Sequence, residues 1–375
     1  MSLVLLGAGC ASPPDSAGGT RALDRQLVLE DSAYTSANVS VGDVDGDGHE
    51  DIVLVKGRHW PLVDLVLRGL GDGTFEAAYA VGASPDRSYS GELVDLDRDG
   101  DLDLVVSNDA PDPKLVHLND GSGRFTVAST FGDPEWPTRH LAVADLNGDS
   151  LPDVVLANRY GPDGGPGRIC FGVGEGRFAP ECDALPDGSA TTIRPADLDG
   201  DGDLDLVVPH RDGGQSFIHL NDGNGEFDER VPFGAGDDVI RSVRTADINV
   251  DGVLDLVVID ERSGPSVLFG APDLTFDPPL ALGEVAARPY ALAVHDLDEN
   301  GRPDVIIGYV EARPVVYFND EGAGFAAVPF GDDAGAAYGF AVGDLDEDGL
   351  LDVVMARSDA PNMLYFGMPP SSDAP

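Results

Sequence analysis

Seven copies of one acidic pattern, several short strands in each copy and no helical periodicity predict an all-β fold, a seven-bladed β-propeller. The pattern, Asp-x-Asp/Asn-x-Asp/Asn-Gly/Ser-x-x-Asp, recurs every 48 to 52 residues and leads each time into a short β-branched run. A regular period of this length indicates an array of structural repeats. We expect each repeat to form one four-stranded antiparallel blade.

The second repeat shows the strands expected in one blade. Strand A covers residues 91–94, the acidic loop 95–103, strand B 104–107, strand C 115–118 and strand D 127–130. A Gly-rich turn, NDGSGRF, joins strands C and D at residues 119–125. Similar turns begin at Gly69, Gly172, Asn221 and Asn319, so we expect the same blade throughout the chain.

We expect the N-terminal strand to close the ring by pairing with the last blade. The last repeat ends after its third strand, residues 363–366, and residues 26–30 form a strand before the first motif. Pairing the two removes the open sheet edges that favour aggregation. The propeller then covers residues 25–367, between a signal-like segment and Pro/Ser/Gly-rich linker at 1–24 and a disordered tail at 368–375.

The N-terminal segment resembles the end of a bacterial lipoprotein signal. A short apolar run at residues 3–6 passes through small residues to Cys10, which would become the lipidated residue. The alternative is an ordinary disordered leader. If Cys10 is lipidated, we expect the protein to be anchored to a bacterial cell envelope membrane. If it is not, we expect the protein to be secreted or periplasmic. No later segment is long and apolar enough to span a bilayer.

The charge of the chain limits its partners. A formal net charge of -45 repels nucleic acid and anionic membrane surfaces. The hydrophobic content of 42% lies in strand-like runs, unlike that of an acidic disordered protein. We therefore expect a monomeric, extracytoplasmic propeller that contacts membrane only through the N-terminal lipid.

Two further cysteines lie in one repeat. Cys170 and Cys182 flank a Gly-rich turn and can form a disulfide in an oxidising compartment. Simple hairpin counting places Cys170 opposite a residue nearer Phe178 than Cys182. Two buried thiols are therefore the alternative.

Alternating oxygen ligands in each acidic loop predict a site for Ca²⁺, up to seven in all, with a structural role. Position 1 is Asp43, Asp95, Asp145, Asp197, Asp247, Asp296 and Asp344; position 3 is Asp45, Asp97, Asn147, Asp199, Asn249, Asp298 and Asp346; position 5 is Asp47, Asp99, Asp149, Asp201, Asp251, Asn300 and Asp348. Position 7, expected to offer its backbone carbonyl, is His49, Asp101, Leu151, Asp203, Val253, Arg302 and Leu350; position 9 is Asp51, Asp103, Asp153, Asp205, Asp255, Asp304 and Asp352. Position 6 is Gly or Ser because the chain bends sharply there.

Two alternatives compete with this calcium prediction. An EF-hand needs a Glu at position 12 and a following helix, whereas here position 12 is apolar and lies in a strand. Asp-rich turns without metal remain the second alternative. Occupancy is least secure in the third loop, where Ser150 replaces Gly, and in the fifth and sixth, which carry Asn249 and Asn300.

Both motifs resemble those of the FG-GAP/VCBS repeat family, the calcium-binding β-propeller also found in integrin α subunits. The similarity covers all seven repeats and rests on the acidic loop and the NDGxGxF turn. The resemblance implies that the metal ligands fall on the motif positions given above. It also implies a scaffold for adhesion or extracellular recognition, without assigning a ligand.

A ligand-binding rim is predicted at the end of strand A that lies away from the acidic loops. Six residues before each first Asp stand Ala37, Tyr89, Arg139, Thr191, Arg241, Tyr290 and Tyr338, and strand B is followed by a basic set, Arg58, Lys114, Arg159, Arg211, Arg262, Arg313 and Arg357. From these we select Tyr89, Arg139, Arg241, Tyr290, Tyr338, Arg58, Arg159 and Arg211 as the rim. Aromatic and arginine side chains suit an anionic glycan or an acidic protein ligand. The alternative is that the arginines pair with local acids, namely Asp86, Asp163, Asp212, Asp260, Glu261, Glu311 and Asp359.

The rival functional class is an enzyme, a polysaccharide lyase or other carbohydrate-active enzyme. Candidate base or charge-stabilising groups on the predicted recognition face are His59, Trp60, His140, His210 and Tyr290. They match no known catalytic pattern, so a non-catalytic binding or adhesion module is the main prediction.

Overall fold

The computed structural model describes residues 19, 21–159, 165–283, 287–321 and 324–369, with the backbone alone for 187 and 188. Cys10 and residues 370–375, for which we predicted lipidation and a tail, lie outside these ranges. The described residues form strands, bridges, turns and bends, without a helix. No helix in this part of the chain is long and apolar enough to cross a membrane.

Thirty strands lie in the described ranges. They are β1 (Ala22–Val28), β2 (Ser36–Gly42), β3 (Asp51–Lys56), β4 (Leu65–Leu67), β5 (Tyr79–Ala80), β6 (Ser88–Val94), β7 (Asp103–Asn108), β8 (Lys114–Leu118), β9 (Thr126–Phe131), β10 (Thr138–Ala144), β11 (Asp153–Asn158), β12 (Pro166–Cys170), β13 (Gly172–Gly174), β14 (Arg177–Phe178) and β15 (Asp183–Gly188). They continue with β16 (Arg194–Ala196), β17 (Asp205–Val208), β18 (Ser216–Leu220), β19 (Glu229–Phe233), β20 (Ile240–Ala246), β21 (Asp255–Asp260), β22 (Gly264–Leu268), β23 (Leu280–Ala281), β24 (Arg288–His295), β25 (Asp304–Val310), β26 (Val315–Asp320), β27 (Gly324–Pro329), β28 (Ala336–Gly343), β29 (Asp352–Ser358) and β30 (Met363–Met368).

The strands form an all-β propeller, but not seven separate four-stranded sheets. Five sheets are separate and four-stranded: β2 to β5, β6 to β9, β10 to β12 with β15, β16 to β19, and β20 to β23. The last two repeats form one eight-stranded sheet with β1, because Val310 at the end of β25 pairs with Ala336 at the start of β28. The predicted count of separate blades was therefore wrong: five stand alone.

The innermost strand of each repeat, strand A, neighbours the next one around a central channel. These strands are β2, β6, β10, β16, β20, β24 and β28, and β28 returns to β2. The N-terminal strand completes the last repeat, since β1 runs antiparallel to β30 with Arg25 opposite Phe366. β1 begins at Ala22, earlier than the predicted Gln26, so the strands run from Ala22 to Met368.

The hydrophobic core lies between neighbouring sheets. Strand B is covered on both faces, and β3, β7, β11 and β21 are buried along their whole length. Val53 and Val66 of the first repeat pack with Leu104 and Val106 of the second. Burial on both faces explains why these strands are continuous apolar runs in the sequence.

Cys170 and Cys182 are joined by a disulfide. Hairpin counting had misplaced the register, because residues 172–178 form a separate two-stranded sheet of β13 and β14. Pairing of β12 resumes only with β15, where Ile169 faces Asp183. Cys182 thereby comes to lie beside Cys170.

Candidate functional site: the acidic loops and the central cavity

The ninth residue of each acidic motif is a buried hydrogen-bond acceptor. Its Oδ2 atom accepts the N–H of motif position 2 at 2.8 to 3.0 Å, in order from Val44, Leu96, Leu146, Leu198, Ile248, Leu297 and Leu345. Its Oδ1 atom accepts the N–H that follows strand C at 2.7 to 3.0 Å, from Gly69, Asn119, Gly172, Asn221, Gly270, Asn319 and Gly367. This Asp therefore ties the acidic loop to the turn after strand C, a role that the sequence analysis missed.

Burial also shapes the protonation of these carboxyl groups. It raises the pKa of Asp51 to about 6 and the pKa of Asp304 to about 7, although backbone N–H donors oppose the shift. Nearby motif carboxylates, such as Asp45 beside Asp51, raise the pKa further. A cation placed among them would relieve this repulsion.

The first and sixth motif positions form a tight turn in every loop. The Oδ2 atom of position 1 accepts the N–H of position 6 at 2.8 to 3.2 Å in all seven. Position 6 has a positive φ of 67° to 101° throughout, as the choice of Gly predicted. Ser150 adopts the same geometry, with a φ of 67°. Replacement of Gly by Ser therefore leaves the third loop intact.

Position 4 shares this left-handed conformation, which the sequence did not reveal. Its φ lies between 53° and 80° in all seven loops, although the residues are Gly46, Arg98, Gly148, Gly200, Val250, Glu299 and Glu347. A β-branched residue is disfavoured there because its Cβ crowds the backbone. Val250 therefore strains the fifth loop.

Carboxylates converge in five of the seven loops. In each cluster, oxygen atoms of three residues lie within 4.8 Å of one another: Asp43, Asp45 and Asp51; Asp95, Asp97 and Asp99; Asp197, Asp199 and Asp201; Asp296, Asp298 and Asp304; Asp344, Asp346 and Asp348. The third and fifth loops differ because Asn147 and Asn249 each donate an N–H to the position-5 carboxylate, Asp149 and Asp251.

The donor chemistry of these clusters fits a hard cation. The Oδ1 atoms of Asp95, Asp97 and Asp346 are buried without a hydrogen-bond partner, and so is that of Asp145 in the third loop. Converging carboxylate oxygens that lack donors are the ligands that Ca²⁺ prefers. Three position-3 carboxylates also have an arginine partner: Arg68 with Asp45, Arg21 with Asp298, and Arg25 with Asp346.

A cavity of about 410 Å³ opens at the other end of the A strands. All eight predicted rim residues line it: Tyr89, Arg139, Arg241, Tyr290, Tyr338, Arg58, Arg159 and Arg211. The sequence analysis missed the lining residues Arg244 and Arg288, although Arg244 stands in strand A itself. None of the described lining residues is an Asp or a Glu. The cavity is thus basic in a strongly acidic protein.

A β-bulge in strand A turns the rim side chains into this cavity. The residue six positions before the first Asp is skipped in the pairing of strand A with strand B in six repeats: Ala37, Tyr89, Arg139, Arg241, Tyr290 and Tyr338. A bulge changes the alternation of side chains along a strand. Both Arg139 and the following His140 therefore line the cavity.

Arginine side chains of the cavity pack against tyrosine rings. The Arg139 guanidinium lies 4.4 Å from the centre of the Tyr89 ring, and Arg58 lies 3.9 Å from that of Tyr338. Arg241 lies 3.3 Å from the centre of the Tyr290 ring, which meets the Tyr338 ring edge to face. Cation–π contacts hold the guanidinium planes in place.

Ion pairs balance part of the positive charge. Asp109 pairs with Arg139, Asp212 pairs with Arg159, and Glu261 is shared by Arg211, Arg241 and Arg288. The predicted alternative of local pairing is therefore real for these arginines. Arg58 forms no ion pair with any described residue and contacts tyrosine rings instead. The remaining basic candidates, Lys114, Arg262, Arg313 and Arg357, bond elsewhere and do not line the cavity.

The candidate catalytic groups divide between the cavity and its surroundings. His59, His140 and Tyr290 line it, whereas His210 does not, and the side chain of Trp60 is 64% exposed. Burial and the nearby Arg139 lower the pKa of His59. Burial opposes ionisation of Tyr290, but Arg241, the Tyr338 hydroxyl and two further arginines together outweigh burial and lower the pKa of this tyrosine. Burial raises the pKa of Tyr338.

Comparison with known sequences connects this geometry to a family. The FG-GAP-like repeat matches residues 43–106, 95–156, 145–208, 197–258 and 264–355. Cartilage acidic protein 1 of Xenopus tropicalis is 30% identical over 193 residues, which cover 47% of this chain and 29% of that protein. The Homo sapiens protein of the same name is 27% identical over 54% of this chain and 34% of its own length. The match thus spans about a third of these relatives.

Solved structures support the propeller fold alone. The BBS1N chain from a complex with ARL6DN has a TM-score of 0.61 and 13% identity, over 95% of this chain and 98% of that one. Sqt1 of Saccharomyces cerevisiae has a TM-score of 0.60 and 11% identity, over 92% and 100%. The Dos1 propeller has a TM-score of 0.57 and 10% identity, over 93% and 95%.

Proposed function

Because the chain belongs to the FG-GAP-like repeat family, we propose that it is a calcium-stabilised extracytoplasmic propeller whose central cavity binds an anionic glycan or protein ligand. The observation that carries the proposal is the basic cavity within a chain of net charge -45. The eight-stranded sheet counts as two blades in this proposal, because a single residue pair joins its halves. The ring then has seven blades, as the ring of A strands supports.

The calcium ions would be structural. The residues that would hold them are positions 1, 3 and 5, with Asp51 and Asp304 contributing from position 9 in the first and sixth loops. A bound ion would neutralise carboxylates that otherwise repel one another. With a Kd of about 0.1 mM in about 2 mM calcium, linkage gives about 1.8 kcal/mol of stability for each occupied site.

Thermal unfolding in calcium and in excess EDTA tests the calcium proposal. We expect a sharply lower melting temperature in EDTA, with full recovery when calcium is restored. Magnesium is the matched control, because its smaller ion demands octahedral geometry and keeps its waters. An unchanged melting temperature in EDTA would contradict the calcium assignment.

The ligand is expected to enter the cavity through its rim. Arginines held on tyrosine rings present their N–H edges to bidentate acceptors such as carboxylates. Arg58 has no described ion-pair partner, so it is available to an incoming anion. The concave shape favours a projecting sugar or side chain over a flat protein surface.

Capture of immobilised ligands tests the cavity. The panel holds acidic and neutral polysaccharides and an acidic and a neutral protein. We expect capture of an acidic member, and loss of that capture when Tyr89→Ala, Arg139→Gln and Arg241→Gln are combined, with the melting temperature unchanged. Arg177→Gln is the control, because this exposed arginine pairs with Glu175 and with no other acid among the described residues. Full capture by the triple variant would contradict the proposal.

One observation and one sequence-based prediction support an extracytoplasmic location. The disulfide between Cys170 and Cys182 supports an oxidising compartment. Lipidation of Cys10 would anchor the protein to a cell envelope membrane. A Cys10→Ser variant is expected to leave the membrane fraction. If both forms fractionate identically, the anchor is refuted.

A second candidate function is a polysaccharide lyase, favoured by the lowered pKa of Tyr290 beside Arg241. The Tyr290 oxygen would remove the proton next to a uronate carboxylate, whose charge the arginine stabilises. The carbon–oxygen bond to the neighbouring sugar would then break, and the leaving oxygen would take a proton. The test is incubation with uronate polysaccharides while ultraviolet absorbance is followed. A rise from the unsaturated product would support the lyase. An unchanged absorbance would contradict the lyase and leave the binding module as the single proposed function.

A further inference from the structure

One level of the central channel carries an unusual set of charges. The residues three positions before each first Asp are Ser40, Glu92, Ala142, Arg194, Arg244, Ala293 and Ala341. They occupy equivalent positions on A strands that neighbour one another around the channel. Four of the seven are Ser or Ala, so the three charged side chains, Glu92, Arg194 and Arg244, are the large side chains among these seven positions. Arg244 lines the cavity and so marks its floor.

The two arginines lack a sufficient counter-charge. Among the described residues, no carboxylate forms an ion pair with Arg194 or Arg244. The Oε2 atom of Glu92 instead accepts the N–H of Val143 at 2.8 Å. The Nε atom of Arg194 is buried without a hydrogen-bond partner, and so is the Nδ1 atom of His140. Burying unpaired guanidinium groups is costly, and a bound anion would remove that cost.

The surrounding groups do not supply the missing negative charge. Burial lowers the pKa of Arg244 well below its usual range, and the charge of Arg194 lowers it further. Burial and the same two arginines lower the pKa of His140, so this side chain is neutral. Burial raises the pKa of Glu92, although Arg194 and Arg244 oppose the shift, so this one carboxylate balances the two arginines only in part.

We propose that the floor of the cavity is a binding site for one anionic group of the carboxylate or sulfate class, held between Arg194 and Arg244. This inference rests on the proposed function and deepens it, because it assigns the depth at which the ligand places its charge. The rim arginines other than Arg58 already pair with Asp109, Asp212 or Glu261. Arg194 and Arg244 at the floor have no ion-pair partner among the described residues, so an anionic group of the ligand gains more electrostatic binding energy there than at the rim.

Calorimetric titration of the full chain in calcium tests the floor site directly. The probes are sodium glucuronate, sodium sulfate and neutral glucose, at constant ionic strength set with sodium chloride. We expect glucuronate or sulfate to bind and glucose not to bind. Binding of glucuronate alone assigns a sugar carboxylate, and binding of sulfate alone assigns a sulfate group.

Two opposite substitutions sharpen the test. Arg244→Gln should weaken binding of the anion by about tenfold or more, and it should not lower the melting temperature in chloride buffer, because it removes an uncompensated charge. Glu92→Gln should strengthen binding, because the competing carboxylate is lost while its amide oxygen still accepts from Val143. Arg177→Gln is the surface control and should bind as the unaltered protein does.

The results separate this inference from the proposed function. Failure of both anions to bind, or equal binding by Arg244→Gln, overturns the floor site. If the rim triple variant still loses ligand capture in that case, the proposed function stands without the floor site. If the anions bind as described but no panel member is captured, the floor site is supported and the proposed function fails.

Discussion

Replacing Asp153 by Asn isolates the role of the ninth motif position. Asp153 is fully buried, and its two oxygens accept the N–H groups of Leu146 at 2.8 Å and Gly172 at 2.7 Å. Asn keeps the shape but has one acceptor, so its NH₂ group must face one of these donors. An unsatisfied buried donor costs roughly 1 to 3 kcal/mol. Since the two donors also repel, we expect a loss of about 2 to 4 kcal/mol.

The assay is urea unfolding of both proteins, in calcium and in excess EDTA. The third loop suits this test because its acids do not form one of the five described clusters. Loss of a backbone hydrogen bond does not depend on metal, so the difference between Asp153→Asn and the unaltered protein should be the same in both buffers. Asp149→Asn is the control in the same loop, because the donors to its exposed carboxylate among the described residues are Asn147 and Leu151. We expect that control to lose less than about 1 kcal/mol in EDTA.

A different pattern would refute this reasoning. If Asp153→Asn is less stable only in calcium and matches the unaltered protein in EDTA, the ninth position acts through the metal. The seven equivalent hydrogen-bond pairs would then be secondary to coordination.

Three further predictions concern other residues. Val250→Gly should stabilise the protein by about 1 kcal/mol, because Val250 has a φ of 59° and is 52% exposed. Gly148→Val is the reverse change at the same motif position and should destabilise the protein. If urea unfolding shows Val250→Gly to be destabilising and Gly148→Val to be stabilising, Val250 is not strained. Burial raises the pKa of Asp64 to about 7, above its unfolded value of 3.8. The stability that this carboxyl contributes is present below the unfolded pKa and is lost as pH rises through the folded pKa of about 7. Asp64→Asn should therefore gain stability relative to the unaltered protein as pH rises from about 4 to about 7, and a pH-independent difference would refute this. Breaking the disulfide with Cys170→Ala and Cys182→Ala should cost about 2 to 4 kcal/mol, and equal stability in urea would contradict a structural role.

Features that depend on local sequence chemistry were predictable. The repeat period predicted where the acidic loops lie along the chain. The Gly or Ser at position 6 predicted a positive φ, which all seven loops adopt. Counting back along strand A found rim residues such as Tyr89 and Arg241, which do meet in one cavity. The partner of β1 was also predictable, because an unpaired strand at one end matched a missing strand at the other.

Features that depend on the backbone path were not predictable. The bulge at Arg139 leaves no residue signature, since Ala, Tyr and Arg all occupy that position in other repeats. The left-handed conformation at position 4 is imposed by the loop on Val250 and Arg98 as well as on Gly. The grouping of Glu92 with Arg194 and Arg244 requires ring closure to bring different repeats to one level of the channel. The pairing of Val310 with Ala336 likewise joins two sheets that the repeat pattern treats as separate.

A crystal structure determined in calcium, with anomalous scattering data, tests the central claim most directly. The account predicts anomalous peaks about 2.3 to 2.6 Å from the carboxylate oxygens of the five clusters, which come from motif positions 1, 3 and 5 or, in the first and sixth loops, from positions 1, 3 and 9. The hydrogen bonds of the ninth position should be unchanged in that structure. Acidic loops that keep this conformation and show no peak in any of the five clusters would contradict the account.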